Sequence, residues 1–261
     1  FDKAFGCEEV PLTGGFEIII PPGTFTTPNI TPDEETGIGK FTDAELARAL
    51  RHGTGRDGRA LFPFMPFQHL TDEDLVAVIS YLKAQPPVKK QQPKRELSFI
   101  GKAVMALVME PEGPTREVLP TRKREATAEY GKYLAYDVAN CYGCHTDRDL
   151  KSGAFIGESF AGGLRFPSDA DPSKILVTPN LTNHATGMLA RYNSEEGFVA
   201  RMKAGGSVPN GTRNGKPVPG SPMPWGAIAQ MSDDDLRAIY LFLNSLDPVD
   251  KDTGPSVQDA E

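Results

Sequence analysis

Polar capping residues followed by apolar positions at helical spacing recur along this chain. Thr42 and Glu45 form a capping box ahead of Leu46, Ala49 and Leu50. Thr71 opens a second segment with Leu75, Val78, Ile79 and Leu82 on one face, and Pro86-Pro87 stops it. A third helix is predicted from about Thr127 to Ala139, carrying Tyr130, Leu134 and Val138. Ser232 opens a fourth, with Leu236, Ile239, Tyr240 and Leu243 on its stripe and an end near Pro248. Between these segments lie Pro- and Gly-rich loops with no visible strand alternation. The pattern predicts an all-α, loop-rich fold.

The pattern also repeats. Thr27-Pro28-Asn29-Ile30-Thr31 returns as Thr178-Pro179-Asn180-Leu181-Thr182, and Thr36-Gly37 returns as Thr186-Gly187. The segment Asp43 to Leu50 is matched by Glu195 to Met202, Met65-Pro66-Phe67 by Met223-Pro224-Trp225, and Thr71 to Leu75 by Ser232 to Leu236. The order is the same in both halves, so one domain is used twice. The expected boundaries are a first domain over 1–88, a linker over 89–126 and a second domain over 127–261. The linker is basic and Pro-containing at its ends. Its apolar middle, Leu97 to Met109, is too short at 13 residues to cross a bilayer. That stretch reads as a helix buried between domains, or as a surface lying on a membrane or a partner subunit.

A length of 261 residues suits two domains. The formal charge of −7 and a pI near 5.3 argue against a nucleic-acid partner and suit a basic protein partner. Three cysteines do not make a disulfide framework.

Two of those cysteines lie in Cys141-Tyr142-Gly143-Cys144-His145, directly after the third predicted helix. C-x-x-C-H is the attachment signature of a c-type haem. Two thiols on one helical turn can each form a thioether to a porphyrin vinyl group, and the adjacent His supplies the proximal imidazole. A zinc site would need two more soft ligands, and only Cys7 is left. A thioredoxin-like motif would need a βαβ pattern, which is not visible. The candidate for the other face of the iron is Met223, held in a loop stiffened by Pro222 and Pro224. Trp225, the single Trp, either packs on the haem edge or is structural. Met188, Met202 and Met231 read as core or surface residues, and His184 as solvated. His52 and His69 flank the Met65 loop and read as exposed or capping residues, or as alternative ligands there.

This set of motifs resembles the class I c-type cytochromes. Over nearly the full length outside the linker, the chain resembles the tandem multihaem cytochromes that serve as subunits of membrane-bound alcohol, aldehyde and gluconate dehydrogenases. The residues carrying the resemblance are Cys141, Cys144, His145, Gly162-Gly163, Thr178 to Thr182 and Met223-Pro224-Trp225. In the first half they are Gly14-Gly15, Thr27 to Pro32, Thr36 to Gly39, Asp57-Gly58-Arg59 and Met65-Pro66. The resemblance implies two tandem cytochrome c domains and an electron carrier rather than an enzyme. It also implies redox protein partners, such as a membrane-bound dehydrogenase and a respiratory or photosynthetic complex. The place implied is the periplasmic face of the cytoplasmic membrane.

The first half departs from this pattern, because Cys7 is followed by no His and stands 7 residues before Gly14, whereas Cys144 stands 18 before Gly162. Either the first copy has lost its haem, or a segment near Cys7 is absent and the intact protein carries a second haem with Met65 on its iron. Because c-type haem is attached outside the cytoplasmic membrane, an export signal or anchor helix is expected upstream of Phe1. That segment is the expected means of membrane association. Two rival readings are a haem enzyme of peroxidase or thiosulfate-oxidising type, with an open site in the first copy, and a structural subunit of a respiratory assembly.

Overall fold

The computed structural model describes residues 11–149, 153–168, 170–192, 194–205, 211–213, 216–218 and 220–260. The described residues form two compact units, divided between Arg122 and Lys123.

In the first unit, three consecutive isoleucines end strand β1 (Glu17–Ile20), and a Pro21-Pro22 turn leads into β2 (Gly23–Thr26). The two pair antiparallel with Glu17 opposite Thr26. Helix α1 (Asp43–His52) starts at the anticipated capping box: the Thr42 hydroxyl accepts from the Glu45 amide at 3.2 Å, and the Glu45 carboxylate accepts from the Thr42 amide at 2.9 Å. Thr71 caps α2 (Asp72–Ala84) in the same way. Strand β3 (Glu96–Leu97) then joins β2 as a third antiparallel strand, and α3 (Phe99–Leu107) follows. Residues beyond α3 return to the same unit, where the Thr115 amide donates to His69 Nε2 and the Asp72 amide to the Leu119 carbonyl. The apolar stretch from Leu97 to Met109 therefore folds on the first unit, and α3 is buried at Gly101 but carries large exposed apolar side chains.

The second unit opens with α4 (Ala128–Tyr133), continued by one π turn over Leu134–Val138, so the single helix anticipated over 127–139 has a wider last turn. Asn140 then adopts φ 52, and its side chain accepts from the Gly143 amide at 3.2 Å, which starts the short helix α5 (Cys141–His145). Strands β4 (Arg165–Pro167) and β5 (Lys174–Val177) precede helices α6 (Met188–Arg191) and α7 (Glu195–Ala204). The hairpin β6 (Gly211–Arg213) and β7 (Lys216–Val218) leads to α8 (Trp225–Ala229), α9 (Asp233–Asn244) and β8 (Val257–Asp259). Helices α4 and α9 cross in direct backbone contact: a Cβ on Gly131 would lie 1.8 Å from the Ala238 carbonyl oxygen. Only glycine permits that approach.

The two units share one frame. The second sheet runs β4-β5-β8 as the first runs β1-β2-β3. Gly14 (φ 71) and Gly162 (φ 67) both adopt left-handed backbone, and a Cβ on either would lie within 2.4 Å of the carbonyl oxygen of Thr27 or Thr178. The Asn of each T-P-N motif is a buried knot. Asn29 Nδ2 donates to the Val88 carbonyl and Asn180 Nδ2 to the Val249 carbonyl, both at 2.8 Å. Their Oδ1 atoms accept from the backbone and hydroxyl of Thr31 and Thr182. Asn29 fastens the segment after α2 to the first T-P-N loop, Asn180 fastens the segment after α9 to the second, and buried polar groups must be satisfied in this way.

The expectation of an all-α fold is overturned by these sheets, since each unit carries a three-stranded antiparallel one. The strands are two to four residues long, too short for period-two alternation to show against the loops. The third strand of each sheet also pairs across a wide gap in sequence, with Thr24 opposite Glu96 and Leu176 opposite Val257. The local signal that was present is the β-branched run Ile18-Ile19-Ile20 before Pro21-Pro22-Gly23.

Candidate haem site

Helix α5 places Cys141 and Cys144 one turn apart, with His145 directly after them. All three line a cavity of about 260 Å³ in the second unit, together with Met223 from the loop ahead of α8 and Trp225 at the start of α8. Thus the five residues singled out in the second half share one cavity. Its remaining walls are mostly apolar and include Leu176, Phe198, Ile239 and Leu243.

His145 is buried, and its Nδ1 lies 3.0 Å from the Pro179 carbonyl oxygen. A carbonyl can only accept, so Nδ1 carries the proton and Nε2 keeps its lone pair. Burial holds the imidazolium form down, pulling the His145 pKa below its ordinary value, while the bond to Pro179 pulls the other way. The side chain is a neutral imidazole with its orientation fixed by a backbone partner, as a metal-binding His requires. The acceptor is fixed in turn, because Pro179 precedes the buried Asn180 knot.

The Cys141 thiol is pushed up to about 12, mainly by burial and then by Cys144. Burial also raises Cys144, against the pull of the Arg148 guanidinium. Neither thiol is an activated thiolate, which suits uncharged thioethers. The donor set, a thiol pair, an acceptor imidazole and a thioether around an apolar cavity, fits a c-type haem.

Met223 is half-buried, and its amide donates to Ser221 Oγ at 3.2 Å. Trp225 starts α8, and the Arg201 guanidinium lies over its ring at 4.6 Å. Arg201 also donates to the Gly205 carbonyl, and burial pushes the Tyr192 hydroxyl up against the downward pull of the Arg201 charge. Arg201 and Tyr192 line the cavity and were missed in the sequence. The legible signal was an Arg at 201 on the same helical face as Phe198 and Met202. Met188, Met202 and Met231, read as core or surface residues, also line the cavity.

Elsewhere the histidines have other partners. His184 Nδ1 lies 2.9 Å from Thr186 Oγ1 and is partly buried rather than fully solvated. His69 Nε2 accepts from the Thr115 amide and hydroxyl region, and His52 sits in the last turn of α1 beside Gly113. Met65 is 55 % exposed, next to Phe62 and Phe64, whose rings pack on the buried Phe25. Cys7 lies outside the described residues. Among the described residues, no helix is long and apolar enough to cross a membrane.

Residues 128–247 match the cytochrome c family model, so this segment is a cytochrome c domain, and its cofactor is haem c. The whole chain is similar to larger proteins. It is 32% identical over 90% of its length to a nicotinate dehydrogenase subunit of Pseudomonas putida, and spans 19% of that protein. It is 31% identical over 92% of its length to the cytochrome c subunit of alcohol dehydrogenase (quinone) from Gluconacetobacter polyoxogenes, and spans 52% of it. A diheme cytochrome c-type protein of Cereibacter sphaeroides is 29% identical over 95% of the chain, which spans 80% of that relative.

Proposed function

We propose that this chain is an electron-transfer module of an oxidoreductase complex, with its haem held in the second unit through Cys141 and Cys144 and its iron between His145 and Met223. The observation that carries the reading is the convergence of α5 and the Met223 loop on one apolar cavity. The haem supplies a one-electron ferric/ferrous couple. The protein residues do the rest. His145 presents Nε2 because Pro179 holds its Nδ1 proton. Met223 would supply a thioether to the iron, which would raise its potential relative to a second His. The apolar walls exclude water, and Arg201, the guanidinium in this lining, offers its charge to a haem carboxylate.

With His145 and Met223 both holding the iron, no position would remain for a substrate, and the chain would pass single electrons without making or breaking a bond. Its relatives' names supply the partner class, a dehydrogenase as electron donor. Attachment of c-type haem outside the cytoplasmic membrane supplies the place, a complex at the outer face of that membrane. Met65 takes the place of Met223 in the first unit. In a polypeptide carrying a C-x-x-C-H ahead of Gly14, it would be the ligand on a second haem; this chain carries one such run. The test is carbon monoxide added to the dithionite-reduced, haem-loaded chain. An unchanged absorbance spectrum is expected. Stoichiometric carbon monoxide binding would overturn the six-coordinate reading and favour an enzyme.

A further inference from the structure

The solvent side of α3 is apolar. Phe99 is 88 % exposed, Ile100 65 %, Leu107 84 % and Val108, at the C-cap, 70 %. At about 100° per residue, these four fall within one half of the helix circumference. At the edge of that arc the helix is mounted on the turn between β1 and β2. Gly101 is buried, and a Cβ there would sit 1.8 Å from the Pro22 carbonyl oxygen, so no side chain separates helix from loop. Ser98 caps the helix through the Gly101 amide at 3.0 Å and donates to the carbonyls of Pro21 and Pro22 at 3.1 Å. The scaffold thus holds α3 at Gly101, beside the apolar arc, and leaves that arc exposed.

The approach to this helix is basic. Residues 89–102 contain Lys89, Lys90, Lys94, Arg95 and Lys102 against Glu96 alone, five cations less one anion, +4 in a chain of −7. All five cations are exposed, and Lys89 pairs with Glu35 at 2.6 Å. Glu110 and Glu112 lie only beyond the far end.

We propose that α3 and the basic run before it dock the first unit on an anionic lipid surface. A short amphipathic helix flanked by cations lies in the headgroup boundary with its apolar face down, and the cations gain from the negative surface potential within a Debye length. A second copy is a poor occupant. A nine-residue helix is about 14 Å long, far short of the area a stable dimer interface needs, and pairing would set the same basic run against itself. This inference is independent of the haem reading.

The test is flotation of the haem-loaded chain with vesicles of phosphatidylcholine alone or mixed with phosphatidylglycerol. Binding to the mixed vesicles and not to the neutral ones is expected. Phe99→Ser/Leu107→Ser should lower the bound fraction about tenfold or more, and Lys94→Gln/Arg95→Gln several-fold with loss of the salt dependence. Unchanged circular dichroism of each variant, whose altered side chains are exposed, keeps folding out of the comparison. Three outcomes overturn the proposal: no binding to either vesicle, binding indifferent to Phe99→Ser/Leu107→Ser, or a face that instead mediates self-association or capture of a purified dehydrogenase subunit without lipid.

Discussion

Ala77 and Tyr81 stand 6 and 10 residues past the capping Thr71, as Ala238 and Phe242 stand past the capping Ser232. In the second unit α4 lies across that face of α9, and Ala238 and Phe242 are 0 % and 6 % exposed. In the first unit Ala77 is exposed and Tyr81 is 59 % exposed. The same helix therefore serves as a core element in one copy and as a surface element in the other. Around the cavity the substitutions run the same way. Arg201 and Trp225 line it in the second unit, and the matching residues of the first are Ala49 and Phe67. Beside the exposed Met65, Phe62 and Phe64 fill against Phe25, where the second unit has Gly220 and Pro222 beside Met223. The two copies share sheets, glycine turns and asparagine knots, and differ in the features that build a cofactor pocket. Fold and site are thus separable layers of one repeat.

The largest expected difference lies at the two methionines. Met223→Ala should open the iron, so that the reduced protein gains carbon monoxide binding and its potential falls by more than about 100 mV. Met65→Ala in this chain should leave both unchanged. Absorbance spectra and a redox titration of the two variants measure this, and equal responses would break the contrast.

Next come the helix faces. Ala238→Leu forces an isobutyl side chain into the α4–α9 crossing, where only a methyl fits, and should destabilise the second unit by about 2 kcal/mol or more. Ala77→Leu should fall within about 0.5 kcal/mol of the parent. Denaturant unfolding with probes in each unit distinguishes the two. If both substitutions cost the same, the faces are not differently covered.

The shared frame should respond alike. Asn29→Ala and Asn180→Ala each strand a buried threonine and a segment carbonyl, and each should cost its own unit about 2 kcal/mol by the same unfolding measurement. A large inequality would mean that the two knots only look alike.

How much of this was legible in the sequence follows from the range of each signal. Capped helices announce themselves within one turn, as at Thr42, Thr71 and Ser232, and the C-x-x-C-H and Met-Pro-Trp motifs are local, so the chief cavity residues were readable. The sheets were not, because strands as short as Glu96–Leu97 carry no period and pair with residues some seventy positions away. Arg201 was hidden for another reason. A lone cation on an apolar helix face reads as surface until the cavity it borders is seen.

A small effect is expected at low pH. The carboxyl of Asp33 is held below its ordinary value by the Thr36 hydroxyl, then by the Thr36 amide. Its folded-state value is below the unfolded one, near 4, so the contribution is present above that pH and lost as pH falls through the depressed value. The matching residue of the second unit is His184. Asp33→Asn keeps an acceptor oxygen and should flatten the acid limb of first-unit stability alone, which acid titration of unfolding would read. An unchanged limb would show that this turn contributes nothing.

The central claim is that the second unit, and not the first, carries the cofactor in this chain. Covalent haem per chain, from pyridine haemochrome absorbance against protein mass, measures it directly. One haem, eliminated in Cys141→Ala/Cys144→Ala, is the expected result. No haem, or a second haem that survives in that variant, would contradict it.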